Sequence, residues 1–175
     1  MKKVLLYSIP FILIIVVVIS VFIYGQKVYD DKLLSLDRVA VTMNYDGFAD
    51  ENECKEIESM FYVTDNTPEK YKNIIMINLS IENNSDEAVR LAVNDLENEY
   101  FFVQESCIMI EPWESIAAGS KENTTLYILT SLSEENENSI ELLKNNQFSF
   151  NIDYGDSDNY ENRLSKDIDC KVKID

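Results

Sequence analysis

The chain of 175 residues contains no histidine, only four glycines, three prolines, three cysteines and one tryptophan. Without histidine there is no Ser/His/Asp or Cys/His relay and none of the usual zinc sites. Gly25, Gly47, Gly119 and Gly155 stand too far apart to form a phosphate-cradling loop. The cysteines, Cys54, Cys107 and Cys170, lack CxxC spacing, and their odd number cannot close a full disulfide framework. A single bridge between Cys107 and Cys170 is possible because both lie in or beside alternating apolar rows, with buried thiols as the default. Cys54, in the polar run DENECKE, is the thiol expected at the surface.

Basic residues are also scarce: fifteen, against thirty-two acidic ones. Only Lys2 and Lys3 precede Gly25 and no acid does, so the remainder carries thirteen basic and thirty-two acidic residues, a net charge of −19. Nucleic acid is thereby excluded as a partner, because a phosphate chain binds through Lys and Arg. The acidity chiefly implies solubility; attraction of basic partners or divalent cations is the other use of such a field.

What is present is one long uncharged run. Val4 to Tyr24 is 21 residues without a charge, roughly 31 Å as a helix, the thickness of a bilayer core. It is apolar all round and too long for a cleaved leader, and bulky Ile23 stands two positions before Gly25, where a cleavage site would need a small residue. A membrane anchor at Val4 to Tyr24 is expected, with residues 1–3 as a cytoplasmic tail held inside by Lys2 and Lys3. Residues 25–36 read as a juxtamembrane linker or a frayed continuation of the helix, and 37–175 as an extracytoplasmic domain.

Beyond Leu36 the pattern alternates. Val39, Val41, Met43 and Tyr45 share one face, as do Ile75, Ile77, Leu79 and Ile81 before the polar turn ENNSDE, and Val89, Leu91 and Val93 after it. IESMFYVT reads as a strand with Ile57, Phe61 and Val63 on one side. Further strands surround Phe101, Val103, Ile108 and Ile110, the last bounded by Pro112. TLYILT follows the glycine turn AAGSKENT, and Phe148, Phe150, Ile152 and Tyr154 alternate without interruption. Ile168, Cys170, Val172 and Ile174 close the chain. Only TSLSEENENSIELLKNN departs: Ser131 and Glu134 fit a capping box, with one or two helical turns over Ser133 to Glu137. Eight or nine short strands at spacings of about ten residues give an all-β class and an antiparallel sandwich.

Function is less legible. No constellation of acid, base and nucleophile stands out among so many carboxylates, so no catalytic residue and no cofactor is expected and the chain reads as a non-enzyme. The best metal candidate is Asp153, Asp156, Asp158 and Glu161 in DYGDSDNYE, which does not match the calcium-loop pattern and reads more simply as an acidic connection between strands. Trp113 is expected as a core or rim packing residue, and Tyr62, Tyr71, Tyr100 and Tyr127 could line outer sheet faces. Asn78, Asn83 and Asn123 begin glycosylation triplets, a pattern that recurs by chance too often to mark a site.

The succession CIMIEPWESI, AAGSKENT, TLYILT, a short acidic helical stretch, FSFNIDYGDSDNY and a terminal alternating strand resembles the membrane-anchored extracytoplasmic immunoglobulin-like (telokin-like) domains of low-GC Gram-positive bacteria. The resemblance covers roughly Ile74 to Ile174 and implies an immunoglobulin-like β-sandwich at the outer face of a cell membrane, in a group mostly of unknown function. The expected role is a membrane-tethered, non-catalytic binding module for an unknown protein or cell-envelope component. Its alternatives are a structural subunit of an envelope assembly and a divalent-cation-binding acidic domain.

Overall fold

The computed structural model describes residues 2–60, 70–104, 107, 115–154 and 164–174, with side chains from Ile14 onward in the first helix and up to Ile57 in the second. The chain begins with α1 (Lys2–Leu36) and continues through β1 (Val39–Phe48), α2 (Glu51–Met60), β2 (Asn73–Asn83), β3 (Val89–Val93), β4 (Leu96–Glu97) and β5 (Phe101–Val103). β6 (Lys121–Thr130), α3 (Ser139–Asn145), β7 (Phe148–Tyr154), β8 (Ser165–Cys170) and β9 (Val172–Lys173) complete it.

The strands form two sheets, one of six in the order β4-β5-β6-β2-β1-β9 and one of three in the order β3-β7-β8. Their alternation decides the packing, because every second side chain faces the opposite sheet. From the larger sheet come Met43, Ile75, Ile77, Leu79, Ile81, Leu126 and Ile128, all at most 1% exposed. From the smaller come Val89, Leu91, Val93, Phe148, Phe150 and Ile152, and the two layers share one core. Phe101 on β5 meets Phe148 on β7 edge-on at 6.0 Å, tying the sheets together. The mostly β, sandwich-like arrangement is therefore as the alternation indicated.

One pairing departs from the antiparallel pattern. The last apolar row is split at Lys171: β8 pairs with β7, whereas β9 runs parallel to β1, with Met43 opposite Val172. The terminal segment thus crosses from one sheet to the other. In consequence Cys170 and Val172 are buried but Ile168 and Ile174 only half so. The turn foreseen at AAGSKENT is present, with Gly119 at φ 72°, a left-handed conformation that favours glycine.

Two expectations are corrected. IESMFYVT is not a strand at its start: α2 occupies Glu51–Met60, because Asp50 caps it. The Asp50 carboxylate accepts the amides of Asn52 (2.8 Å) and Glu53 (2.9 Å), and the Glu53 carboxylate accepts the Asp50 amide (2.7 Å). This reciprocal box, with Cys54 and Ile57 three residues apart on the inward side, outweighs the local alternation. Phe61, Tyr62 and Val63 lie outside the described residues.

The second correction concerns the acidic stretch, where the helix starts at Ser139 rather than within Ser133 to Glu137. Ser131 Oγ donates to the Glu99 carbonyl (3.1 Å) and Ser139 Oγ to the Ser133 carbonyl (2.7 Å), so 133–138 is a turn folded onto the helix start.

Segment 25–36 is helix to its end, α1 being one continuous element of 35 residues. Among the described residues no helix is long and apolar enough to cross a membrane. The side chains of residues 4–13, the first half of the expected anchor, lie outside the description. From Ile14 to Tyr24 α1 is uncharged, and Lys27, Asp30, Asp31 and Lys32 follow.

Candidate functional site at the helix–sandwich junction

The end of α1 is built into the sandwich. Leu36 is fully buried, Ser35 nearly so, and Leu33 packs against the core. Only Asp37 and Arg38 separate the helix from β1, and their amides close back on the Leu34 (3.2 Å) and Ser35 (3.1 Å) carbonyls. These bonds use acceptors that a helix end leaves without an internal partner.

Among the described residues three separate segments hold this end. Tyr154, the last residue of β7 and 7% exposed, donates its hydroxyl to the Lys32 carbonyl and shares a hydrogen bond with Ser35 Oγ. The β2–β3 turn supplies Glu87, 3.0 Å from the Lys32 ammonium, and Asp86, whose two oxygens accept from Arg38 at 3.1 and 3.2 Å. Its Asn84 amide donates to the Arg38 carbonyl at 3.2 Å. At the start of β8, Lys166 pairs with Asp37. Lys32 also lies 5.4 Å from the centre of the Tyr154 ring. The ion pairs are exposed and individually weak; the buried tyrosine and leucine carry more.

The turn that supplies Asp86 and Glu87 is itself held by Asn83, which is wholly buried. Asn83 Nδ2 donates to the carbonyls of Glu87 (2.9 Å), Ile116 (2.9 Å) and Ala117 (3.1 Å), and its Oδ1 accepts from the Ser85 amide (3.0 Å) and hydroxyl (2.5 Å). An asparagine so occupied cannot accept a glycan, which removes the triplet at Asn83 from consideration. Discounted as a chance triplet, Asn83 has no role in the sequence reading; the local signal for its structural role is the Asn-x-Ser turn pattern itself.

At the other end of the sandwich, charge and aromatic rings meet. Tyr127 has its pKa raised, first by burial and then by Glu56 and Glu53 of α2; Tyr45 is raised by burial and by Glu134. Tyr71 is buried rather than on an outer face, its hydroxyl donating to the Asn98 carbonyl and its ring 5.5 Å from Phe102. Tyr100 and Tyr127 are half-buried.

The other expected site residues are dispersed. Asp153 sits in β7 opposite Arg90 and Ser165, while Asp156, Asp158 and Glu161 lie outside the described residues, as do Ile108, Ile110, Pro112 and Trp113. Among the described residues no three carboxylates or thiols gather as a metal would require. Cys107 and Cys170 do not form the bridge considered above: both are thiols. Cys170 Sγ donates to the Val41 carbonyl (3.6 Å), and Cys107 Sγ accepts the Gln104 amide (3.3 Å) within its own turn, so the two are engaged in different places. Burial, with a smaller push from Asp169, raises the Cys170 pKa to about 11, which suppresses the thiolate a nucleophile needs. Cys54 is half-buried, its Sγ donating to the Ala49 carbonyl (3.6 Å).

No family model and no characterised protein matches this chain.

Proposed function

We propose that the chain is a single-pass membrane protein in which Val4 to Tyr24 crosses the bilayer, Lys2 and Lys3 stay in the cytoplasm, and the acidic sandwich stands outside as a non-catalytic binding module. The observation that carries this reading is the surface of α1 between Ile14 and Tyr24. Its apolar side chains are exposed on all sides, from 43% at Ile15 to 72% at Phe22. A helix apolar all round is stable when lipid or protein surrounds it, and water is a poor solvent for so continuous a patch.

Lys2, Lys3 and the initiating amine stand close before the run, against Lys27 and Lys32 farther beyond it, and this bias favours a cytoplasmic N-terminus. The two-sheet sandwich with a terminal segment that changes sheets suits an immunoglobulin-like fold, whose loop clusters and sheet faces bind partners without catalysis. A tether raises the effective concentration of any partner in the same membrane.

Two experiments test the reading. The full chain should remain in the membrane pellet after alkaline carbonate extraction, and release into the supernatant would overturn the anchor. Cross-linking in native membranes should give adducts that a residue 1–36 control does not; adducts identical with the control would overturn the binding role of the sandwich.

A further inference from the structure

We propose that the last three turns of α1 and the sandwich form one body, and that the chain pivots relative to the membrane at Gly25. The proposal rests on the membrane reading of Val4 to Tyr24 and adds where its freedom lies.

The junction has little slack. Two residues join helix to strand, and the helix end is gripped by the β2–β3 turn, the end of β7 and the start of β8. A rotation or tilt of α1 about its end would have to pull Leu36 from the core and part Tyr154 from both Lys32 and Ser35. Fixation from three separate segments leaves no axis about which the stalk turns freely.

Gly25 is the weakest helix former between Ile14 and Leu36. It follows Tyr24, the last residue of the proposed span, and a Cβ added there would meet nothing within 4 Å. Glycine is the poorest helix former after proline, and here no neighbouring element among the described residues compensates. From Gly25 to Leu36 the helix rises about 18 Å, so bending at Gly25 would swing the sandwich as a unit while the junction stays intact.

The test uses the full chain in phosphatidylcholine–phosphatidylglycerol nanodiscs, with spin labels carried by genetically encoded non-natural residues so that the native thiols are untouched. One pair joins Tyr29 on the stalk to Glu122 on the sandwich; the other joins Phe22, within the span, to Glu122. All three positions are exposed. The expected result is a single distance distribution no wider than the labels' own for the first pair and a wider one for the second. Gly25→Ala should narrow the second pair without changing the first. A broad Tyr29–Glu122 distribution would overturn the single-body claim, and a Phe22–Glu122 distribution already as narrow as the first would overturn the pivot. Failure of the chain to elute with nanodiscs would instead count against the membrane reading, a separate outcome.

Discussion

The hydroxyl of Tyr154 meets the hydroxyl of Ser35 across 119 residues of chain, and also donates to the carbonyl of Lys32. A β-strand thereby closes the end of a helix. Tyr154→Phe keeps the ring in place and removes both bonds, leaving Ser35 Oγ without this partner in a buried position. We expect a loss of about 1–2 kcal/mol, read as a lower urea midpoint for the full chain in detergent. An unchanged midpoint would mean that these two hydrogen bonds contribute nothing to the fold.

Asn83 is the more demanding position. Asn83→Ala would remove one donor from each of the Glu87, Ile116 and Ala117 carbonyls, which keep Ser85 Oγ, the Val89 amide and Ser120 as donors, and would take from the buried Ser85 amide its acceptor. The expected cost is about 1–3 kcal/mol, with faster amide exchange at Asn84 to Glu87 before any change in the core. Asn83→Asp should be nearly as damaging, because a carboxylate cannot donate to the carbonyls.

Asp50→Ala removes the cap of α2, with an expected loss of about 1 kcal/mol. Hydrogen exchange should locate the effect at Asn52 and Glu53, whose amides the Asp50 carboxylate now accepts. Asp50→Asn should retain most of the stability, since its side-chain oxygen still accepts.

The Cys170 thiol supplies a pH dependence of known sign. Its pKa in the fold is about 11 against a reference of 9.0, so the folded chain keeps a proton that the unfolded chain loses first. Stability from this group is complete below pH 9 and declines as pH rises toward 11. At pH 8 the thiolate fraction falls about a hundredfold relative to an unshifted thiol, and alkylation of Cys170 in the native chain should slow at least by that factor. Equal rates in the native and denatured chain would contradict this.

The strands were legible because alternation is a local signal: Phe148 to Tyr154 and Ile75 to Ile81 face inward residue by residue as their spacing indicates. The α2 region was misread because alternation around Ile57 and Phe61 was weighed above Asp50 and Glu53, whose box is visible in the sequence as D-x-x-E. The junction was not legible at all. Nothing in QKVYDDKLLSL indicates that Leu36 is buried or that Tyr154 reaches Lys32, since contacts over 122 residues leave no local pattern. The switch of the terminal segment from β7 to β1 was hidden for the same reason, the apolar row continuing through Lys171 as though one face were kept.

The central claim is that the sandwich stands outside, tethered by α1. Its most direct test is protease treatment of intact cells that express the chain with one epitope before Met1 and another after Asp175. The C-terminal epitope should be lost while the N-terminal one stays protected in the alkaline-washed membrane pellet. Protection of the C-terminal epitope in intact cells, with cleavage only after lysis, would contradict the account.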